Sequence, residues 1–336
     1  MKLTAFSRFL IVMLILGGIF MLYRKFGPGL VEKYGAKTEV QEGTSATSEQ
    51  TTAEPNTANN NQAASETPRV SFDYTAPVPV NGKLKGVVEL GASGFNSFIV
   101  RIDANKNWKL EKAEFGSSLV YENMATDDDV RNGLKNYIRG MLDFGVGGKD
   151  IHFVVSSGAK TEPKVIKISK GLKELGYFVN EVTPQQEGTY GLNCVLPASF
   201  ENNSFMVDIG SGNTKVSYKL NGKINAYESH GSKYFQRGLS DDQVYKDARK
   251  VLSQVPESNR ANCFIIGGIP FELAKQVRNG KERYTVLKAP QDYTSTGEKQ
   301  KAGLNIYKAL ADETGCKTFV FDWDANFTIG FLLGLK

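Results

Sequence analysis

Residues 205–218 read FMVDIGSGNTKVSY, from Phe205 to Tyr218. The apolar start Phe205-Met206-Val207 suits a buried strand. Lys215, Val216, Ser217 and Tyr218 alternate polar and apolar, which predicts a second strand. Between them, Asp208-Ile209-Gly210-Ser211-Gly212-Asn213-Thr214 is a tight turn of small residues, so the whole stretch is a β-hairpin. Two glycines let backbone N–H groups approach an anion closely, and successive N–H groups in such a turn form a nest for phosphate oxygens. Asp208 is placed to hold a metal ion facing that phosphate. A plain hairpin turn uses the same residues, and this stretch alone leaves both readings open.

A second copy of the pattern lies upstream. Residues 86–103 read GVVELGASGFNSFIVRID. Again an apolar strand start leads to an acidic residue, Glu89. A small-residue turn follows (Gly91, Ala92, Ser93, Gly94), and then an alternating strand. Two such hairpins in one chain point to an internal duplication.

The 336 residues allow about two domains, and 40% hydrophobic with 23% charged residues is ordinary globular composition. A net charge of +5, with no basic run interleaved with aromatics, gives no case for nucleic acid. Three scattered cysteines and two histidines exclude a disulfide framework and a histidine metal cluster. The run Phe9 to Tyr23 (FLIVMLILGGIFMLY) is apolar throughout, flanked by Arg8 and by Arg24-Lys25. It is read as an uncleaved membrane anchor, since no small-residue cleavage site follows. Residues 1–37 are therefore the anchor and its flank. Residues 38–77 are a polar Ser/Thr/Asn/Gln-rich tether expected to be disordered. The balance of basic residues puts the head on the cytoplasmic side of the membrane; the polar tether points the other way, and the orientation stays open.

The head alternates strand and helix. Thr126-Asp127-Asp128-Asp129 opens a helix through about Phe144, with Val130, Leu134, Ile138 and Leu142 at helical spacing. Ile151–Val155 is a buried strand ending in Ser156-Ser157-Gly158-Ala159-Lys160. A helix to Leu175 and a strand at Tyr177–Val182 follow. This is the β-α-β pattern of an α/β layered sheet. Thr183-Pro184-Gln185-Gln186-Glu187-Gly188 then opens another helix, where Glu187 is either a solvent-facing first-turn residue or a site carboxylate. Ser240-Asp241-Asp242 caps a later helix. Cys263–Ile266 is a strand ending in Gly267-Gly268, and Thr318–Leu335 forms a strand and a final apolar helix.

Taken in order, these features resemble the exopolyphosphatase/guanosine pentaphosphate phosphatase family of the actin, sugar kinase and Hsp70 superfamily, from about Gly86 to Leu335. The resemblance implies an α/β, two-lobed actin-like ATPase (ribonuclease H-like) fold. Residues 78–200, completed by about 320–336, would form the first lobe, and 201–319 the second. It implies phosphate binding by Gly91, Ser93, Gly94, Ser157, Lys160, Gly210, Ser211, Gly212, Asn213 and Thr214. Glu187 would be the base that activates water. Asp208 and Glu89 would hold Mg2+ or another divalent cation, and Gly267 and Gly268 would lie against the nucleoside or distal part of the ligand, unless they are simply a tight strand-to-helix loop. The family has aspartate where Glu89 stands, a Ser-Asn-Ser turn where Ala92-Ser93-Gly94 stands, and tends to have arginine where Lys160 stands. Two functions stay open: a membrane-tethered hydrolase of phosphoanhydrides (polyphosphate, guanosine pentaphosphate or a related nucleotide), or an inactive nucleotide- or phosphate-binding module with a scaffolding role. The expected partners are that ligand and the membrane, with a homodimer as an open alternative and no nucleic acid.

Overall fold

Each half of the head begins with a three-stranded antiparallel meander. The structure is a computed structural model that describes residues 72–91, 94–115 and 127–335. In the first half, β1 (Lys83–Gly91), β2 (Gly94–Ile102) and β3 (Trp108–Phe115) form the meander, and β4 (Ile151–Val155) and β5 (Val179–Glu181) extend it in parallel beyond β1. The order across this sheet is β3-β2-β1-β4-β5.

The second half repeats it. Strands β6 (Ser204–Ile209), β7 (Asn213–Leu220) and β8 (Lys223–His230) are the meander, β9 (Asn262–Ile266) lies parallel to β6, and β11 (Thr318–Asp322) parallel to β9. A short β10 (Tyr284–Val286) adds antiparallel at the edge, giving β8-β7-β6-β9-β11-β10. The first five positions reproduce the first sheet strand for strand, so the duplication inferred from two turns extends over whole sheets. The β7–β8 turn at Asn221-Gly222 has φ of 51° and 77°, the mirror-image turn whose twist matches a hairpin.

Helices cover both sheets. In the first half, α1 (Asp127–Asp143) and α2 (Pro163–Glu174) pack outside β1, β2 and β4 around Leu134, Ile138, Phe153, Ile168 and Leu172. Between the sheets, α3 (Pro184–Val195) and α7 (Phe327–Gly334) cross each other, with Leu192, Met206, Phe264, Ile329 and Leu332 in the shared core. Outside the second sheet lie α4 (Asp241–Leu252), α5 (Gly268–Lys275) and α6 (Glu298–Thr314), around Phe205, Ile265, Leu252, Ile306 and Leu310. The Ser240 side chain caps α4, accepting from Gln243 N at 3.2 Å. Asp241 and Asp242 sit at its positive end, and Arg249 and Lys250 at its negative end. All the described residues fall in one compact unit, Glu66–Lys336.

Four sequence expectations change. On α1 the buried stripe is Leu134, Ile138 and Met141, while Leu142 is 43% exposed. A spacing of four repeated twice drifts off a helix face of 3.6 residues per turn, and a step of three restores it. Strand β7 does not alternate: Asn213 through Tyr218 are all buried, because its sheet is covered on both faces. Between Pro270 and Cys316 the sequence reading assigns nothing, yet most of α5, all of β10 and all of α6 lie there. The start of α6 has no side-chain cap, and Gly303 interrupts its helical pattern. Among the described residues no helix is long and apolar enough to cross a membrane. The expected anchor at 9–23, the tether from 38 to 71, Ser93 and Thr126 lie outside them; the end of the expected tether, 72–77, is instead ordered, because Phe72 and Tyr74 pack their rings against Phe264 and Tyr284.

Candidate active site

The carboxyl ends of β1, β4, β6 and β9 converge on one cavity of about 680 Å³. Its walls include Gly91 and Gly94 from the first hairpin, Ser156 and Gly158 after β4, Gly210 through Asn213 from the second hairpin, and Gly267-Gly268 after β9. Glu89, Glu187, Asp208 and Lys215 also line it. The twin turns therefore share a single cleft, as the sequence pattern required.

The second turn is held from behind and in front. Gly210 N donates to Asn213 O at 3.1 Å, closing the turn. Ser232 N and Lys233 N donate to Gly210 O and Ser211 O at 2.9 and 3.0 Å. In front, a Cβ on Gly212 would lie 3.2 Å from the Gly158 Cα, so the loops of the two halves touch backbone to backbone. At the end of β9, Gly267 has φ of 105°, and a Cβ there would lie 2.6 Å from Asp208 Oδ1. Glycine is required at this position by both backbone and space.

Glu187 is carried in by α3. Thr183 caps that helix in a reciprocal capping box: its Oγ1 accepts from Gln186 N at 3.2 Å, and its N donates to Gln186 Oε1 at 2.9 Å. Pro184 sits at the first turn, where no N–H is needed. Thr183→Ala should cost about 1 kcal/mol of stability, read as a lowered midpoint in urea; an unchanged midpoint would mean the cap does not set this helix start.

Glu187 is 2% exposed, and its carboxylate is enclosed by donors. Oε1 accepts from Lys215 Nζ at 2.7 Å and from Ser156 Oγ at 3.4 Å. Oε2 accepts from Ser157 N at 3.0 Å and from the Ser157 hydroxyl. The Ser157 oxygen in turn accepts from Asn213 Nδ2 at 2.9 Å, which ties the first half to the second turn. A carboxylate offers about four acceptor positions, so this arrangement fills them all.

Lys215 stands directly opposite Asp208 in the β6–β7 register, with Nζ 3.7 Å from Asp208 Oδ2. Burial works against its charge, but Asp208 and Glu187 outweigh burial and hold the ammonium above the usual lysine range. Burial pushes the Asp208 carboxyl up, against the pull of Lys215. Glu89 is half-buried and lines the same cavity. Its Oε2 accepts from Asn96 Nδ2 at 2.9 Å and from Asn326 Nδ2 at 3.0 Å, and burial pushes its carboxyl above the usual range.

These contacts bear on the expected divalent cation. An ion on Asp208, at about 2.0–2.6 Å from its oxygen, would stand against the Lys215 ammonium, which is 3.7 Å from that carboxylate. The second expected ligand, Glu89, already receives two amide N–H groups on one oxygen. Among the described residues no three metal-binding side chains cluster. The donor set does not fit a divalent ion shared by Asp208 and Glu89.

Two further expectations shift. Lys160 does not reach the cleft; it lines a separate cavity of about 530 Å³ with Val165, Ile166 and Glu174. The short turn after β4 sends it outward, while Ser156 and Ser157 face Glu187. Thr214 is 2% exposed and its hydroxyl donates to His230 O at 2.7 Å, so it fastens β7 to β8 and is absent from the cleft wall. The sequence reading misses Lys215, Asn96 and Asn326. Lys215 was accessible from hairpin register, which sets it across from Asp208; Asn326 sits 237 residues from Glu89 and carried no local signal.

Solved structures share this fold. The chain superposes on the PPX-GPPA enzyme of Aquifex aeolicus with a TM-score of 0.55, at 15% identity, over 75% of this chain and 99% of that one. An exopolyphosphatase from Cytophaga hutchinsonii gives a TM-score of 0.54, at 15% identity, over 76% and 99%. The fold is that of the Ppx/GppA phosphatases. A further exopolyphosphatase-like protein gives 0.54 at 13% identity, over 76% of this chain and 98% of that one. No family model matches the sequence, and no curated protein matches it. In this mixed α/β, actin-like ATPase fold the cleft between the two sheets is where the Glu89, Glu187, Asp208 and Lys215 side chains meet.

Proposed function

We propose that the head binds phosphoanhydrides in this cleft, with polyphosphate and guanosine pentaphosphate as the reference ligands, and hydrolyses their terminal phosphoryl group. One observation supports this above others: both glycine turns, from halves related by duplication, line the same cavity as Glu187. In this reading, the turns at Gly91–Gly94 and Gly210–Asn213 hold the phosphoryl oxygens, the second through backbone N–H groups beyond Gly210, whose own N–H closes the turn. Gly267 and Gly268 border the rest of the ligand. Water attacks phosphorus, forming a new P–O bond while the bridging P–O bond breaks and the leaving phosphate departs. Glu187 orients the water and takes its proton. The apolar run 9–23 tethers this head to a membrane, with the head on the cytoplasmic face.

For Glu187 to accept a proton, one of its four donors has to leave. That same closure favours a second reading, in which the head binds such ligands without turnover and uses the cleft as a ligand-sensing module. The full-length chain incubated with tripolyphosphate or guanosine pentaphosphate distinguishes them. Release of inorganic phosphate is expected for the hydrolase. Ligand-induced thermal stabilisation without release would favour the sensing module, and neither effect would overturn the anion site itself.

A further inference from the structure

We propose that Lys215 supplies the positive charge for the bound phosphoryl group, in the place a divalent metal ion would otherwise take. The inference rests on the anion-binding reading of the cleft and goes beyond it by naming the cation.

Position comes first. Lys215 lies on β7 opposite Asp208, and its side chain is 3% exposed yet borders the cavity. Nζ lies 3.7 Å from where a Cβ on Gly210 would be, so the ammonium sits beside the glycine turn expected to hold phosphate. Carboxylates face it from the other elements: Asp208 from β6 at 3.7 Å, Glu187 from α3 at 2.7 Å, and the charge of Glu89 from β1. The ammonium therefore stands between the Glu187 and Asp208 carboxylates, where it repels any second cation.

Charge comes second. Burying a lysine is costly unless it is paired and hydrogen-bonded. Here the pairing is generous, with two close carboxylates for one ammonium. A phosphoryl oxygen arriving at the Gly210 turn competes with Glu187 for Nζ. Movement of the ammonium toward the ligand neutralises phosphate charge and frees Oε1 of Glu187, whose other contact is Ser156 Oγ at 3.4 Å. Binding would thereby open the one acceptor position that water activation needs.

Calorimetry on the full-length chain tests this with Mn2+ alone and with tripolyphosphate in the presence of a chelator. The wild-type chain is expected to bind tripolyphosphate without metal and to show no heat with Mn2+ alone. Lys215→Met is expected to weaken chelated tripolyphosphate binding about 10- to 100-fold, the range for a lost charged hydrogen bond. It should also gain Mn2+ binding, because Asp208 and Glu187 then lose the cation that stands between them. Should that variant fail to fold, the two wild-type titrations still decide. Wild-type binding that requires metal overturns the assignment of Lys215 and leaves the anion site standing. No binding with or without metal overturns both, and so is distinguishable from failure of Lys215 alone.

Discussion

Glu187→Gln is expected to lower phosphate release by about 10²–10⁴-fold, the range for loss of a positioned general base. Glutamine keeps the size of the side chain and can still accept from Ser157 N, now 3.0 Å from Oε2. It cannot take a proton from water, and it removes one of the two carboxylates that pair with Lys215. Lys215 keeps Asp208, so the variant avoids the full penalty of an unpaired buried charge. Tripolyphosphate should therefore still stabilise the variant thermally. Equal phosphate release by variant and wild type would dismiss Glu187 as the base and move the residue into a purely architectural role.

Gly330→Ala is expected to destabilise the head by about 3 kcal/mol or more, at the upper end of overpacking costs. Gly330 lies in α7 where it crosses α3, and a Cβ there would sit 1.8 Å from the carbonyl oxygen of Tyr190. The obstacle is backbone, so no side-chain rotation relieves it and the helices have to separate. Gly140 in α1 is the control, since nothing lies within 4 Å of its added Cβ. Gly140→Ala should be stabilising by roughly 0.5–1 kcal/mol from helix propensity and chain entropy. Urea denaturation reads both. A Gly330→Ala chain with the wild-type midpoint would mean the crossing is looser than these distances imply. The crossing also matters to the cleft: Glu187 is in the first turn of α3, and Asn326 caps α7 while donating to Glu89. Separating the helices should displace both carboxylates at once.

The fold was legible because its repeat is local. Each half announces itself by an apolar strand, an acidic residue and a small-residue turn, all within about fifteen residues, and the strand-helix alternation between them follows ordinary periodicity. The cleft was legible to the same extent: Glu89, Asp208, Glu187 and the glycines of both turns meet there. What was lost is long-range or two-sided. Lys215 reads as one polar position of an alternating strand, and only the helices covering both faces of the second sheet convert it into a buried ammonium. Lys160 follows Ser156, which does line the cleft, and its outward direction depends on a single short turn. For a divalent ion shared by Asp208 and Glu89 the obstacle lies in contacts rather than in residue types. Asp208 and Glu89 carry the right chemistry, but Lys215, Asn96 and Asn326 reach them first.

A crystal structure of the full-length chain with tripolyphosphate tests the shared-cleft claim most directly. A phosphoryl group is expected between the Gly91–Gly94 and Gly210–Asn213 turns, within hydrogen-bonding reach of Lys215 Nζ. A ligand seated in the Lys160 cavity instead, or touching one turn while the other stays packed away from it, would contradict the account.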